Sequence, residues 1–457
     1  MIRARFISGL GVCVGAALLI AGGSAAYAVD DDTLTWHGFT LFGVYDIGIA
    51  NQTRGAEVNL DSPQGLNYTL GKSSSAAMTQ VAPNGLSPST IGLKGNFGLN
   101  QDVSAIFRLE AGFNPLSLRL DNGPQSLVDN NGRPTINQTA SNDSNQAGQI
   151  FNTAGFVGLQ SHTYGTLTFG RQTGILADRL IDYDPNGASY AFSAVAGSNT
   201  IRGFGASQDA RLDSSFKYFN QTGPFRYGVQ YQLSGQQYAL FIPDGVSGSA
   251  VEANLGGDYK NFSTDLLYTH KNDAIVAAPL TAAQVLANPA NSLAATVSDN
   301  TAYTILGRYK FDKATVYAGF EQIHFDNPSS PLSPDSKDIG GYTLSVLTQN
   351  AYNINKVLNV YWTGVKYAFT PKLDLTGAYY AYKQNSYATG AHLGCSTAVS
   401  SGCSGSFNAE SLAAVYKLTG HADLYGGFMR SAVDNGLASG YLSPSNITSM
   451  VGVRFKF

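Results

Sequence analysis

The lengths of the segments between its predicted strands constrain this chain more than any other feature. Successive side chains of a strand point to opposite faces, so runs that alternate between apolar and polar residues mark candidate strands. Short connections of two to four residues alternate with long stretches rich in Gly, Asn, Ser and Asp. The sixteen predicted strands cover residues 36–49, 89–98, 103–113, 151–160, 165–171, 211–219, 224–233, 250–259, 262–271, 301–310, 314–325, 357–369, 372–383, 408–417, 421–430 and 447–457.

Connections sorted in this way indicate a closed barrel rather than a soluble sandwich. Barrels of the outer membrane have short turns on the periplasmic side and longer loops outside. No run of about 18 apolar residues follows residue 28, so no helix is expected to span a membrane. Charged residues are 13% of the chain, against about 25% in typical soluble domains. We therefore predict an all-β, 16-stranded antiparallel transmembrane barrel, and barrels of this size enclose an aqueous lumen.

The last predicted strand has one purely apolar face. Val451, Val453, Phe455 and Phe457 alternate with residues that include Arg454 and Lys456, and the chain stops on the aromatic side chain. The apolar face is expected to meet lipid or a neighbouring subunit. The two cations are then expected to line a water-filled lumen near its periplasmic end.

Residues 1–28 have the pattern of a cleaved secretory signal peptide. Two arginines precede an apolar stretch, and Ala26-Tyr27-Ala28 matches a signal-peptidase site. A retained anchor helix is the alternative, which the acidic segment that follows disfavours. Cleavage leaves one predicted domain, 29–457, and lowers the basic residues from 28 to 26 against 31 acidic ones, a net charge of −5. This balance gives no reason to expect nucleic-acid binding.

Two cysteines, Cys395 and Cys403, remain after cleavage, with seven residues between them in a Gly/Ser-rich stretch. A disulfide is the favoured interpretation in an oxidising compartment. A metal pair is the alternative, but His392 has no further ligand near it in sequence. No metal or other cofactor is predicted.

Several segments resemble the general-diffusion porins of Gram-negative bacteria, in the proteobacterial branch of the Burkholderia, Neisseria and Comamonas types. The segments are Ser89–Gly95, Ala105–Phe113, Phe151–Leu159, Gly165–Gln172 and Val451–Phe457. The resemblance implies passive diffusion of small hydrophilic solutes and ions through a homotrimer set in lipid and lipopolysaccharide. It also implies a third long loop folded into each barrel and a terminal Phe457 recognised by the barrel-assembly machinery. A substrate-selective channel of the same architecture is the alternative.

Strand parity and this resemblance together select candidate channel residues. A charge on the lipid face costs about 2–4 kcal/mol at mid-membrane, so charges in strands are expected to face the lumen. The resemblance places acidic groups of the third long loop, residues 172–210, opposite basic groups of the wall. The loop candidates are Asp178, Asp182, Asp184 and Arg202, and the wall candidates are Lys94, Arg108, Glu110, Arg171, Arg211 and Arg226.

Three positions qualify the resemblance. Thr90 stands where the family usually has arginine, and Arg108 stands where many members have glutamine. One basic position is lost and another gained, so the sign of the ion selectivity remains open. Parity places Arg171 on the lipid side with Leu167 and Phe169, so a bulge or the strand end must turn it inward.

An enzyme and an adhesin are the rival interpretations from other classes. His324 and Asp326 could act as a base and its orienting group. No serine or second acid stands with them in a recognisable arrangement, so we predict that the chain is not an enzyme. An adhesin or purely structural barrel would be excluded by measurable ion conductance.

Overall fold

The computed structural model of this protein describes residues 34–62, 72–141, 149–195, 211–233, 248–337 and 339–457. The predicted signal peptide and Arg202 lie outside the described residues. The described chain forms one sheet of nineteen strands. The strands are β1 Thr35–Trp36, β2 Phe39–Gly55, β3 Ala76–Pro83, β4 Ser89–Gly98, β5 Val103–Phe113, β6 Ala154–Ser161, β7 Gly165–Thr173, β8 Arg211–Thr222, β9 Phe225–Gln232, β10 Ala250–Tyr259, β11 Phe262–Ala278, β12 Ser292–Phe311, β13 Ala314–Asp326, β14 Thr343–Thr348, β15 Lys356–Thr370, β16 Leu373–Gln384, β17 Gly405–Lys417, β18 Ala422–Asn435 and β19 Ser445–Lys456.

The sheet closes on itself as a barrel with sixteen strand positions. β19 pairs with β2, which joins the two ends of the sheet. β3 and β4 share one position, because β2 pairs with β4 along its first half and with β3 along its second half. β1 forms a short hairpin with β2, and β14 adds to β12 as a parallel strand outside the circuit. The predicted sixteen-stranded antiparallel barrel is confirmed.

Burial alternates along the strands as their sequences predict. In β9, Phe225 and Tyr227 are 62% and 39% exposed. Arg226, which lies between them, and Gln230, further along the strand, are buried. A strand with polar side chains inside and aromatic side chains outside suits a wall with lipid on one face and water on the other. No helix of the described residues is long and apolar enough to cross a membrane.

The seam between β19 and β2 contains the terminal residue. The backbones of Gly43 and Phe457 exchange two hydrogen bonds, of 2.9 and 3.1 Å, and the Phe457 ring packs against Gly43. On the lumen side, the Arg454 and Lys456 side chains pair with Asp423 at 2.7 and 3.0 Å. The last strand thus has the two faces that its sequence predicts.

The long loops carry structure that alternation did not predict. α1 (Gly123–Val128) and α3 (Ala282–Ala287) lie in loops, and single 3-10 turns occupy Thr135–Asn137, Gly390–His392 and Gly436–Ala438. β11 and β12 run further out than expected and pair up to Ala278 and Ala294. Leu127 of α1 joins Ile275, Leu293 and Leu344 in a buried apolar cluster above the barrel.

This cluster links loops from distant parts of the barrel. α1 belongs to the loop after β5, six strand positions from the loop between β11 and β12. Gly132 N donates to Leu280 O at 3.0 Å, and Tyr342 Oη donates to Gln125 Oε1 at 2.7 Å. The loop after β5 therefore reaches across the outer mouth. Elsewhere on the outer side, Cys395 and Cys403 form a disulfide with a Cα–Cα distance of 5.0 Å.

Candidate functional site: the channel and its inner loop

The loop after β7 folds into the barrel, as the resemblance implied. We call its described part, residues 174–195, the inner loop. It begins with α2 (Ile175–Tyr183), whose Ile175, Leu176 and Leu180 are buried against the wall. Leu176 N donates to the Glu252 carboxylate at 3.0 Å, so a wall acid satisfies a backbone group that the first turn of a helix leaves unpaired.

Tyr183 is the first anchor of the inner loop. Its hydroxyl donates to the Asp265 carboxylate at 2.7 Å and lies 2.8 Å from Ser263 Oγ. The Arg226 guanidinium also binds Asp265, with Nε donating at 2.8 Å. Trp362 Nε1 donates to Tyr183 O at 3.1 Å. Side chains from the loop and from three wall strands therefore meet in one buried network.

Asp184 forms the second anchor, which corrects one of the predicted channel residues. Its side chain is 1% exposed and accepts hydrogen bonds from Tyr380 Oη and Ala188 N, both at 2.7 Å. Nearby, Asn186 Nδ2 donates to Ser411 Oγ at 2.9 Å. Asp184 lies on the predicted loop but faces the barrel wall, because the loop runs along β15 to β17 instead of crossing the open lumen. It cannot contact a passing solute.

The third anchor brings the inner loop back toward the seam. The Phe192 ring makes an edge contact with Tyr425 of β18, at 6.3 Å between ring centres. Ala191 N donates to Gly85 O at 2.8 Å, at the break between β3 and β4. The anchors of the described inner loop thus follow the wall from β9 round to β18 and that break. The wall of β4, β5 and β6 lies opposite.

Two predicted acids of the loop lie at or near the channel. Asp178 pairs with Lys217 of β8 at 2.5 Å, so much of its charge is neutralised. Asp182 is 41% exposed at its side chain and pairs with Arg179 one turn earlier, at 3.1 Å. Its backbone carbonyl accepts from Arg308 Nη1 at 3.0 Å. Asp182 is the predicted loop acid that remains most exposed to water.

Two predicted wall cations lie side by side on the opposite wall. Lys94 and Arg108 are direct cross-strand partners of β4 and β5. Both lie over the Phe42 ring, with Lys94 Nζ 5.6 Å and Arg108 Cζ 4.6 Å from its centre. Arg108 also binds the Glu110 carboxylate through Nε at 2.8 Å, whereas Lys94 has no ion-pair partner among the described residues. This wall therefore carries a net positive charge into the channel.

The other predicted wall cations serve the fold. Arg226 is buried beneath Tyr183, so its placement in the channel lining was wrong: the inner loop covers it. A register shift in β7 turns Arg171 inward, although strand parity alone would place it on the lipid side. Gly170 beside it has φ +127°. There Arg171 Nε donates to Asn152 O at 2.7 Å, and the guanidinium pairs with Asp213. Arg211 begins β8 and lies half-buried near Asp121 of an outer loop.

Aromatic side chains in the lumen were missed from the sequence. Phe42 and Phe156 both face inward beside Arg108, since Arg108 is the cross-strand partner of Phe156 and covers Phe42. The alternation of faces along these two strands could have shown this, because Asp46 of β2 faces inward and Val157 of β6 faces outward. The anchors Tyr183 and Trp362 had no comparable local signal, because their contacts are far apart in sequence.

Asp121 gives the outer loop a predicted dependence on pH. Its side chain is buried, and burial raises its pKa to about 8, although Arg211 nearby acts in the opposite direction. Unfolding returns the carboxyl to its ordinary, lower pKa. The folded loop then binds the extra proton, and stability is lost as pH rises toward 8. Each pH unit between the ordinary pKa of the carboxyl and pH 8 lowers the free energy of unfolding by up to about 1.4 kcal/mol.

We expect hydrogen exchange of residues 112–122, corrected for intrinsic rates, to accelerate between pH 5 and 8 and to level off above. An Asp121→Asn variant should lose this dependence, because the amide keeps the shape and carries no charge. Equal pH profiles for the two proteins would contradict the assignment.

The fold and the lined lumen define an outer-membrane β-barrel, and comparison with known proteins agrees. The chain belongs to the Gram-negative porin family, whose sequence model matches residues 15–436. Its place is therefore the bacterial outer membrane. An outer membrane porin protein of Bordetella pertussis is 28% identical over 225 residues, which is 48% of this chain and 47% of that relative. The chain thus matches about half the length of that relative.

Solved structures share the fold at low identity. The anion-selective porin from Comamonas acidovorans has a TM-score of 0.58 at 18% identity, covering 92% of this chain and 99% of that one. An outer membrane protein of Vibrio cholerae, OmpT, solved in a trimer form, has a TM-score of 0.54 at 13% identity and covers 92% and 99%. At these identities the likeness concerns the fold alone.

Proposed function

We propose that the chain forms a water-filled channel for passive diffusion of small hydrophilic solutes and ions, and that it is not an enzyme. The observation that carries the proposal is the path of the inner loop. The loop narrows the barrel along one wall and leaves the side chains of the opposite wall, β4 to β6, uncovered. Exposed charge of one sign, Asp182, belongs to the loop, and charge of the other sign, Lys94 and Arg108, belongs to the wall. Charged side chains that line a pore set its preference among ions.

The arrangement favours weak selectivity for anions. Arg108 shares its charge with Glu110, and Asp178 is paired with Lys217, so both of these pairs are close to neutral. Lys94 has no such pair among the described residues. The uncompensated charge on the wall is then positive. The porin from Comamonas acidovorans that shares this fold is itself anion-selective.

We further propose a homotrimer embedded in outer-membrane lipid and lipopolysaccharide, with Phe457 recognised by the assembly machinery. The trimer form of the Vibrio protein supports the assembly state. Exposed aromatic pairs such as Tyr309 with Phe311, whose ring centres are 4.3 Å apart, support the lipid contact, since tyrosine and phenylalanine are enriched where a barrel meets the membrane surface.

Planar-bilayer recording of the purified protein tests the channel and the trimer. We expect conductance in KCl that appears and closes in groups of three equal steps. No conductance at any voltage would refute the channel. Conductance in single, unlinked steps would refute the trimer and leave the channel intact.

Replacing Arg108 with alanine is expected to shift the reversal potential in a KCl gradient toward cations. A unit charge about 4 Å from a passing ion contributes about 1 kcal/mol in water. The permeability ratio of chloride to potassium should therefore fall by up to roughly fivefold. Arg119→Ala is the matched control, because Arg119 lies 64% exposed on an outer loop with Asp61 as its partner. An unchanged ratio in the Arg108 variant would place Arg108 outside the selective region.

A substrate-selective channel of the same architecture is the second candidate. The aromatic side chains beside the wall cations favour it, because a lumen built only for water and small ions has no need of them. Their geometry is specific enough to identify a class of solute.

A further inference from the structure

A pocket of about 310 Å³ opens from the channel into its wall near the periplasmic end. It lies between β2, β4, β5 and β6, close to the tight turn that joins Gly98 to Val103. Its inward-facing side chains are Thr40, Lys94, Asn96, Ile106, Arg108 and Phe156. We call this the wall pocket.

The lining combines positive charge with apolar surface, and a porin lumen does not need the two together. Porin interiors are polar, yet Ile106 and Phe156 present apolar surface to the water of the channel, and Phe42 lies beneath the two cations. All three apolar side chains are only half-buried. Apolar surface left beside fixed positive charge suits a solute that has an apolar body and an anionic end.

The hydrogen-bonding groups of the cations remain partly open. Arg108 uses Nε and Nη2 on the Glu110 carboxylate, at 2.8 and 2.7 Å, and within the described part of the chain its Nη1 makes no such bond. Lys94 Nζ has the Phe42 ring as its neighbour and no carboxylate among the described residues. The two groups can therefore receive one more carboxylate between them.

We propose that the wall pocket binds aromatic carboxylates, with the carboxylate between Lys94 and Arg108 and the ring against Phe156 and Ile106. The inference rests on the proposed channel function and names a class of solute for it. A volume near 300 Å³ is the lower end of the range for small-molecule sites, which suits a single ring with one carboxylate. A site in a conducting pore must also release its solute, so binding in the millimolar range is expected.

Benzoate is the probe, with two controls that each share one of its features. Acetate has the charge without the ring, and benzylammonium has the ring with the opposite charge. We expect millimolar benzoate to reduce the KCl current through open channels, with a half-blocking concentration at least tenfold lower than that of either control. Equal block by benzoate and acetate would overturn the proposal, because the ring would then contribute nothing.

Two variants test the two halves of the wall pocket. Phe156→Ser and Lys94→Gln should each raise the half-blocking concentration of benzoate about tenfold. Lys313→Gln is the matched control, since it removes the same charge from an exposed turn on the periplasmic side, and it should leave the block unchanged. Block that survives both pocket variants would overturn the assignment to this site.

A binding measurement separates the wall pocket from the channel. Saturation-transfer NMR on the detergent-solubilised protein reports contact of the benzoate ring without any current. A signal that Phe156→Ser removes supports the pocket even if the protein conducts nothing, which would refute only the proposed function. Absence of the signal in a protein that conducts KCl would refute the pocket and leave the channel standing.

Discussion

Replacing Asp265 with alanine is expected to release the inner loop from the wall and to destabilise the barrel. Asp265 is fully buried and accepts hydrogen bonds from Tyr183 Oη, Arg226 Nε and Asn254 Nδ2 at 2.7 to 2.9 Å. Its removal leaves a buried guanidinium without its main counter-charge. Breaking a buried ion pair in this way costs about 3–5 kcal/mol.

Two measurements report the effect of replacing Asp265 with alanine. The midpoint of thermal unfolding, read by the shift in electrophoretic mobility between folded and unfolded barrel, should fall. Single-channel conductance should rise and fluctuate, because α2 and Tyr183 would no longer hold the inner loop in one position. Both effects have the same cause and should therefore appear together.

Asp258→Ala is the matched control for this prediction. Asp258 binds the same Arg226, through Nη1 at 2.5 Å, but its side chain is 41% exposed and makes no bond to Tyr183. Exposed ion pairs contribute about 0–1 kcal/mol. The control should therefore leave conductance close to that of the unchanged protein. If the Asp265 variant conducted as steadily as the Asp258 variant, the inner loop would be held by something other than this network.

The strands could be predicted from the sequence because each is defined by local alternation. All sixteen predicted strands are present, and β10 matches its predicted bounds. The break between β3 and β4 had no such signal. There the Asp46 carboxylate accepts from Leu86 N at 2.8 Å and from Ser87 N at 3.0 Å, and Tyr425 Oη from the far side of the seam donates to it at 2.6 Å. Tyr425 and Asp46 are 379 residues apart.

The channel could be predicted only in part, for the same physical reason. Parity predicts which face of the wall a charge is on, and Lys94, Arg108 and Arg226 share the inner face. Whether the charge then meets water depends on the path of the inner loop. The loop covers Arg226, turns Asp184 toward the wall and leaves Lys94 open. This path is fixed by contacts with β11, β15 and β16, which lie far along the chain.

Deleting Phe457 is expected to lower the amount of protein that reaches the outer membrane more than any of the substitutions above. The deletion removes the two backbone hydrogen bonds with Gly43 and the contact of the ring with that residue. Backbone hydrogen bonds contribute about 0.5–1.5 kcal/mol each, and burial of a phenylalanine contributes about 1.5–3 kcal/mol. Since Phe457 is 39% exposed, the combined loss at the seam is about 2–5 kcal/mol.

A second variant separates the seam from recognition by the assembly machinery. In Gly43→Ala the new methyl group would overlap the Phe457 ring and the Thr90 carbonyl, so the seam is strained while the terminal residue is kept. Both variants should unfold more easily after refolding in detergent, where no machinery is present. In cells, the deletion should lower the yield of folded barrel at least tenfold, and Gly43→Ala should lower it much less. Equal cellular yields for the two variants would mean that Phe457 acts by closing the seam and carries no separate assembly signal.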